Sequence, residues 1–197
     1  MKKIVLTFLL LTSLSASAQE KRWEHHIYVG SGVLLDNKDG RIETGFTAKL
    51  GYGINYYFSN RWSVRPGIDY RAESSSLLDN SDGGDGDFFQ YIDIPIAVQF
   101  HSDDHWVVGL APVLTFCVDR DEWYIDADPQ DPLNGKSKIK MFNLGLQPSI
   151  TYQWKRVSLG VESYIGLLNV SDTHGLMHNS YIKHRFSNVV TVLGVRF

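Results

Sequence analysis

The sequence predicts an all-β fold, an eight-stranded antiparallel up-and-down β-barrel. Three observations carry this prediction. Apolar residues alternate with polar or small residues through most of the chain after residue 26, as expected for strands with two unlike faces. The connections between the alternating segments are short and long in turn. Glycine falls on one face of the strands and not on the other.

Eight segments show the alternation. In the segment that starts at Thr44, apolar or aromatic residues fill the even positions, and glycine or polar residues mostly fill the odd positions. Because successive side chains of a strand point to opposite faces, each such segment predicts one strand with an apolar and a polar face. The segments are 27–35, 44–58, 62–71, 91–100, 106–117, 142–154, 157–168 and 186–197.

The connections between these strands fall into two classes. Tight turns occupy residues 59–60, 102–104 and 155–156. The longer polar connections are 36–40, 73–87, 119–138 and 169–185. A meander with short turns at one end and long loops at the other is typical of outer-membrane barrels, whose short turns lie in the periplasm.

The direction of the apolar face decides between a membrane barrel and a soluble lipocalin-like barrel, which also has eight strands. Of the 17 glycines, eleven lie on the polar face, six in the long connections and none on the apolar face. An eight-stranded barrel has an interior just wide enough for side chains, so we expect the face with the small residues to be inside. The sequence therefore predicts a transmembrane barrel, with the lipocalin as the alternative.

Tryptophan supports the membrane barrel. Trp23, Trp62, Trp106 and Trp154 lie at strand ends beside the short turns or near the N-terminus. Tyrosine and tryptophan form girdles at membrane–water interfaces, whereas a ligand-binding interior would place large aromatic residues in mid-strand. We therefore expect the aromatic residues on the outer face.

Composition excludes several classes of protein. The chain has 197 residues, of which 43% are hydrophobic and 21% charged, with a formal net charge of −3. These values predict one ordered domain and argue against a basic nucleic-acid-binding protein and a helical membrane bundle. Cys117 is the single cysteine of the sequence, so an internal disulfide is excluded.

Residues 1–18 are predicted to be a secretory signal peptide, followed by the barrel domain at 19–197. A positively charged start precedes an apolar run at 4–14, which is shorter than the ~20 residues of a transmembrane helix. The segment ends in Ala-Ser-Ala, a pattern typical of signal cleavage. We expect cleavage between Ala18 and Gln19, with a membrane anchor as the alternative.

Four prolines fall inside predicted strands: Pro66, Pro95, Pro112 and Pro148. Proline lacks the N–H that the ladder of a sheet needs, and a closed barrel has no edge strand to hold it. We therefore expect β-bulges at these positions. Each bulge would shift the local assignment of inside and outside by one residue.

Short motifs give a resemblance to a known family. Residues 91–96 read Tyr-Ile-Asp-Ile-Pro-Ile, residues 109–112 read Gly-Leu-Ala-Pro, and the chain ends in Phe197. In these features the chain resembles the PorT-like outer-membrane β-barrel family of Bacteroidota. The resemblance implies a barrel in a Gram-negative outer membrane, and no functional residue of the family is matched here.

One motif raises the question of catalysis. His184-Arg185-Phe186-Ser187-Asn188 is similar to the His-x-Ser-Asn motif of outer-membrane lipid A deacylases. Here three residues separate the base from the hydroxyl, so the alternation of a strand puts them on opposite faces. We therefore expect no enzymatic activity unless a bulge restores the geometry.

Two other segments contain residue types that can bind metal ions. His174 and His178 are four residues apart, which brings ligands together on a helix, but Gly175 favours a loop. Residues 79–87 gather carboxylates and glycines, yet their spacing matches no known Ca²⁺ loop. We expect solvated loops in both places, and neither a metal nor an organic cofactor.

The inner face carries the charged residues that the strand pattern buries. They are Lys49, Arg65, Arg71 and Arg196 against Asp69, Asp93, Glu73 and Glu162. Charges in a narrow, dry interior must be paired, because an isolated buried ion is costly to desolvate. Lys49 is expected opposite Arg71, with Asp69 and Asp93 at a similar height. We predict an ion-pair plug centred on these four residues that closes the lumen.

These inferences predict a small integral outer-membrane barrel without catalytic activity, with both termini in the periplasm. Its loops or rim would serve binding, assembly or envelope structure. The terminal strand ends in an aromatic residue, Phe197, which resembles the signal read by the outer-membrane assembly machinery. The expected partners are membrane lipid, that machinery and an unidentified envelope protein, with no nucleic acid. The alternatives are an OmpW-like channel for small solutes and a lipid-modifying enzyme.

Overall fold

The structure is a computed structural model that describes residues 22–38, 41–74, 88–118, 123–124, 136–169, 171–174 and 181–197. The predicted signal peptide with its cleavage site at Ala18 and Gln19 lies outside the described residues. So does the acidic segment 79–87. Within the described ranges, no helix is long and apolar enough to cross a membrane.

Eight long strands form a closed antiparallel barrel, which confirms the predicted fold. Neighbours along the chain pair with one another, and the first strand pairs with the last, so that Val29 lies opposite Leu193. The long strands are β1 (Trp23–Lys38), β2 (Arg41–Tyr57), β3 (Trp62–Ser74), β4 (Phe88–His101), β5 (Trp106–Cys117), β8 (Phe142–Trp154), β9 (Val157–Gly166) and β11 (Tyr181–Arg196).

Three short strands extend the sheet at the end with the long connections. They are β6 (Trp123–Tyr124), β7 (Lys136–Ile139) and β10 (Ser171–His174). β10 pairs with β11 and with β7, and β7 pairs with β6. The predicted connections 119–138 and 169–185 therefore contain strands, because backbone ladders continue where the alternation of apolar residues has stopped.

The predicted connection at 36–40 is also shorter than expected. β1 continues to Lys38 and β2 begins at Arg41, and these two residues are paired. Residues 36–38 are polar at every position, so periodicity gives no sign of a strand there. The backbone hydrogen bonds of the hairpin need no apolar side chain, and they carry the strands beyond the apolar segment.

The prolines cause no bulges, so the prediction of shifted faces was wrong. The same register holds before and after each proline: Asp69 pairs with Asp93 and Val64 with Val98, on either side of Pro66 and Pro95. In an antiparallel sheet a residue directs its N–H and C=O to one neighbouring strand. Each proline therefore lacks a backbone hydrogen bond to only one of its two neighbouring strands. The pairing with the other strand is kept, as Pro66 of β3 still pairs with Ile96 of β4.

The faces of the strands point as predicted, which excludes the lipocalin-like alternative. The eleven glycines of the polar face lie on the inside, buried or half-buried. The outer face is apolar and exposed from strand to strand. Among its residues are Val29, Leu50, Ile68, Ile96, Leu110, Ile150, Val161 and Leu193. The four strand-end tryptophans are exposed as well.

The aromatic residues are not confined to the outer face, which corrects the sequence interpretation. Five point inward and are buried: Tyr28, Phe89, Tyr91, Tyr164 and Phe186. Glycines make the room for them. A Cβ at Gly51 would overlap the ring of Tyr28, and a Cβ at Gly145 would overlap the ring of Tyr164. The glycines of the inner face thus compensate for large neighbours and do not mark an open interior.

Candidate functional site

Among the residues that the structure describes, the barrel interior holds seven buried charged side chains, each no more than 8% exposed. They are Lys49, Arg65, Asp69, Arg71, Glu73, Asp93 and Glu162. The contacts divide them into two groups. The turn-side network, closer to the short turns, contains Lys49, Arg65, Asp69 and Glu162, and the loop-side network contains Arg71, Glu73 and Asp93.

Glu162 is the centre of the turn-side network. Its carboxylate is ion-paired with Lys49, and its Oε1 lies 3.4 Å from Nη2 of Arg65. Gln147 donates a hydrogen bond to Oε2 over 2.9 Å. Lys49 also binds Asp69, with 3.2 Å between Nζ and Oδ2. One lysine thus links β2, β3 and β9 through two carboxylates.

Tyr28 packs between the cations of this network. Its hydroxyl donates to Oδ1 of Asp69 over 2.5 Å. Its ring centroid lies 5.2 Å from Nζ of Lys49 and 5.3 Å from Cζ of Arg65, within the range of cation–π attraction. Because Gly51 lies beside this ring and the Asp69 carboxylate, any side chain there would displace both.

His26 joins the network in a defined tautomer. Nη1 of Arg65 lies 2.9 Å from Nδ1 of His26, and Nε2 lies 2.9 Å from Oγ of Ser158. A guanidinium is a donor with no acceptor atom, so Nδ1 must accept. The ring is therefore neutral, and its Nε2–H donates to the Ser158 hydroxyl. In this state His26 cannot take a proton from Ser158, so the pair is not an activated nucleophile.

The loop-side network is built on Arg71. Its Nε and Nη2 donate to the two oxygens of Asp93 over 2.6 and 3.2 Å, a bidentate pair. Nη1 lies 2.5 Å from Oε1 of Glu73. Asn188 of β11 donates to the same Oε1 over 2.8 Å. This network therefore joins β3 to β4 and, across the interior, to β11.

Two aromatic rings hold the guanidinium of Arg71 in place. Its Cζ lies 4.5 Å from the centroid of Tyr91 and 4.4 Å from that of Tyr164. Thr115 donates to the Tyr164 hydroxyl over 3.1 Å. Toward the long connections follows an apolar cluster, here called the cap, made of Leu34, Phe89, Tyr91, Cys117 and Phe186. The bidentate arginine, the two rings and the cap thus occupy this part of the interior with buried side chains.

The four residues named from the sequence are all buried and ion-paired. Lys49 lies opposite Arg71 in the register of β2 and β3, and Asp69 lies opposite Asp93. Yet Lys49 binds Asp69 and Glu162, whereas Arg71 binds Asp93 and Glu73. The single predicted cluster is therefore two networks. Sequence reasoning placed Glu162 on the inner face but gave it no partner, because Lys49 reaches it across the barrel.

Arg196 does not belong to the buried set, which corrects the predicted charge balance. It pairs with Glu24 at 3.2 Å, and both side chains are more exposed than those of the two networks. Its Nη1 also donates to Gln153 over 2.8 Å. These residues lie at the rim beside the short turns. The described interior therefore holds three cationic and four anionic side chains, and not four of each.

Phe197 lies where the barrel closes. Its backbone N–H donates to the carbonyl of His25 over 3.0 Å and its carbonyl accepts from the His25 N–H over 2.9 Å. The two rings stack with 5.6 Å between their centroids. The terminal residue thus extends the seam between β1 and β11 and presents its ring, 38% exposed, on the outer face.

The histidine motifs are not brought together into a site. The pairing of β11 with β1 runs without a break from His184 to Arg196, which puts positions 184 and 187 on opposite faces. His174 is in β10, and His178 lies outside the described residues. In the part of the chain that the structure describes, no group of three or more His, Cys, Asp or Glu is placed to hold a metal ion.

Solved structures of outer-membrane barrels have the same fold. Neisserial surface protein A matches with a TM-score of 0.57 and 14% identity, over 88% of this chain and 97% of that chain. Ail, the attachment invasion locus protein of Yersinia pestis, matches with a TM-score of 0.50 and 12% identity, over 88% and 98%. No protein-family model and no curated protein matches the chain. The likeness shows the eight-stranded fold of this class of barrel.

Proposed function

We propose that the protein is an integral outer-membrane barrel with a closed lumen. It catalyses no reaction, and its loops or rim serve binding, assembly or envelope structure. The observation that carries the proposal is the interior, where the side chains of the two ion-pair networks and of the cap are buried. The resemblance to the PorT-like family of Bacteroidota fits this proposal at the level of fold and location.

The outer surface supports insertion in a membrane. Soluble monomers rarely expose apolar patches of more than a few hundred Å², whereas here apolar side chains are exposed on the outer face of all eight long strands. Aromatic pairs lie along the edge next to the short turns, such as Trp62 with Phe100 and Trp106 with Tyr152. An apolar band bordered by aromatic residues matches a lipid bilayer.

The arrangement of connections gives the orientation. The short turns and both ends of the barrel domain lie at one end, which we assign to the periplasm. The long connections then face the outside of the cell. The partners in this proposal are membrane lipid along the band, the assembly machinery during insertion, and an envelope protein at the loops.

Conductance in planar bilayers tests the closed lumen. The wild-type protein is expected to give no steady current, because ions would have to cross paired, desolvated charges. The double variant Glu162→Ala with Arg71→Ala removes the centre of each network and is expected to conduct. Asp103→Asn, in an exposed turn, is the matched control and stays silent. Steady wild-type current would instead support the OmpW-like channel.

A lipid analysis tests the absence of catalysis. Expression of the protein in a Gram-negative host is expected to leave the mass of lipid A unchanged. If a mass shift appears, Ser187→Ala decides its origin. Loss of the shift in this variant would assign the chemistry to the 184–188 motif and overturn the non-enzymatic proposal.

The role of Phe197 in assembly is tested by deleting it. The folded, inserted fraction in cells is expected to fall, because the deletion removes both the terminal aromatic and two hydrogen bonds of the closing seam. His25→Ala, which keeps the backbone bonds and removes the stacked ring, is the control for stability. If the deletion lowers detergent stability but not insertion, the assembly role is lost.

A further inference from the structure

The buried charges of the described interior do not cancel. Lys49, Arg65 and Arg71 stand against Asp69, Glu73, Asp93 and Glu162. The contacts of His26 require a neutral ring, so it adds no charge. The buried side chains that the structure describes thus carry an excess of one negative charge. An uncompensated buried charge costs several kcal/mol or more, which implies a compensating cation or proton.

The excess belongs to the loop-side network. In the turn-side network two cations face two carboxylates. In the loop-side network Arg71 alone faces Glu73 and Asp93. Both oxygens of Asp93 accept from Arg71, whereas Glu73 is contacted through Oε1. The oxygen that remains for a further cation is Oε2 of Glu73.

Three buried oxygens near this position have no hydrogen-bond partner: Oε2 of Glu73, Oγ1 of Thr47 and the hydroxyl of Tyr91. Glu73 and Thr47 are fully buried, and Tyr91 is 3% exposed. Thr47 lies directly opposite Glu73 in the register of β2 and β3. Tyr91 lies opposite Arg71, one diagonal step from Glu73 on the same inner face.

We propose that the interior of the barrel binds one monovalent cation of the size of sodium between Glu73, Thr47 and Tyr91. The ligands are oxygens only, which hard cations prefer. One positive charge balances the excess, so a divalent ion would leave the opposite imbalance. The cap packs beside the site, and its Phe89 lies opposite Glu73 in the register of β3 and β4. The inference goes beyond the proposed function and does not depend on what the loops bind.

The groups that face Glu73 favour a cation over a proton. Asn188 donates a hydrogen bond to Oε1 and the Arg71 guanidinium lies in ion-pair contact with it, an arrangement that suits an ionised carboxylate. Oε2 receives no hydrogen bond from the described residues, so a cation there would supply the contact that the protein does not. A hard cation can bridge oxygens that make no hydrogen bond to one another, because each oxygen contacts the ion directly. Water molecules could form hydrogen bonds with the three oxygens, but they would not balance the excess negative charge.

Unfolding of the full-length mature barrel in detergent micelles tests this site. The unfolding midpoint is compared in sodium chloride and in N-methylglucamine chloride of equal ionic strength. Because an ion that binds the folded state stabilises it by mass action, the wild-type midpoint is expected to rise with sodium concentration. Glu73→Gln keeps the shape and removes the charge, so it is expected to lose the whole sodium-dependent shift.

Two further variants keep the test decisive. Thr47→Val removes one oxygen at constant shape and should move the sodium titration to about tenfold higher concentration. Glu24→Gln weakens the ion pair between Glu24 and Arg196 at the rim and should keep the wild-type sodium dependence.

An identical unfolding midpoint of the wild type in both salts would overturn the proposal in favour of a proton on Glu73. Sodium dependence that survives Glu73→Gln would overturn it in favour of another site.

Discussion

The same eight strands form two surfaces that are stabilised in different ways. On the inner surface each charged group has defined partners; Glu162 alone contacts Lys49, Arg65 and Gln147. On the outer surface, side chains such as Leu110 and Val161 are exposed, and any apolar side chain would serve a lipid environment equally well. The inner surface therefore specifies this particular barrel, whereas the outer surface specifies only its environment.

The two surfaces differ because a misplaced side chain costs more free energy on the inner surface than on the outer one. A misplaced apolar side chain outside is accommodated by fluid lipid chains. A missing partner inside leaves a charge or a polar atom without compensation in a space that cannot rearrange. Substitutions of like size should therefore have unequal effects on the two surfaces.

The largest effect is expected from Glu162→Ala. The substitution leaves Lys49 and Arg65 without their shared anion, and breaking a buried pair in this way costs about 3–5 kcal/mol. Urea unfolding in detergent measures the change. Glu24→Ala, at the more exposed rim pair with Arg196, is the control with a smaller loss. Equal losses for the two variants would contradict the difference between interior and rim.

A matched pair of leucines compares the two surfaces directly. Leu34 is fully buried in the cap, and Leu110 is exposed on the outer face. Leu34→Ala removes apolar contacts and leaves a cavity, at a cost of about 2–5 kcal/mol. Leu110→Ala removes the same atoms, worth ~2 kcal/mol, but lipid chains fill the space. Urea unfolding of both variants in one lipid or detergent gives the cavity contribution as their difference.

Gly51→Ala tests whether the inner glycines are required by their neighbours. A Cβ there would meet the Tyr28 ring and the Asp69 carboxylate, and overpacking of this kind costs about 1–3 kcal/mol. Gly53→Ala is the control with a smaller overlap, since the nearest atom to its Cβ would be Cγ of Arg65 at 3.0 Å, against 2.3 Å for the nearest atoms at Gly51. If both variants unfold alike, room for Tyr28 is not the reason for glycine at position 51.

The same contrast explains what the sequence could predict. Alternation assigned faces correctly even for Lys49 and Glu162, because face depends on local strand geometry alone. The ion pair between these two residues, 113 positions apart, depends on how the closed barrel brings non-adjacent strands together, and no local pattern encodes that. The inward rings of Tyr28 and Tyr164 were missed because glycine was interpreted without its cross-strand neighbour. The extension of β1 beyond Leu35 was missed because its residues there are polar.

The smallest effect is expected in the exposed turn between β4 and β5, which belongs to neither surface. The N–H groups of Trp106 and His105 each donate to Oδ1 of Asp103 over 2.7 Å. These bonds favour the ionised carboxylate, so they hold the pKa of Asp103 below its ordinary value. A lowered pKa stabilises the folded state above the ordinary pKa of an aspartate, and this contribution is lost as the pH falls through the lowered value.

Asp103→Asn should therefore lower the unfolding midpoint slightly at neutral pH and leave it unchanged in acid. The amide oxygen still accepts hydrogen bonds from the turn, but it carries no charge. Unfolding midpoints of the variant and the wild type across the acidic range measure the difference, with Asp104→Asn in the same turn as control. The difference should vanish toward low pH, because protonation then makes the wild-type carboxyl neutral too. A difference independent of pH would mean that the shape of the side chain, and not its charge, holds the turn.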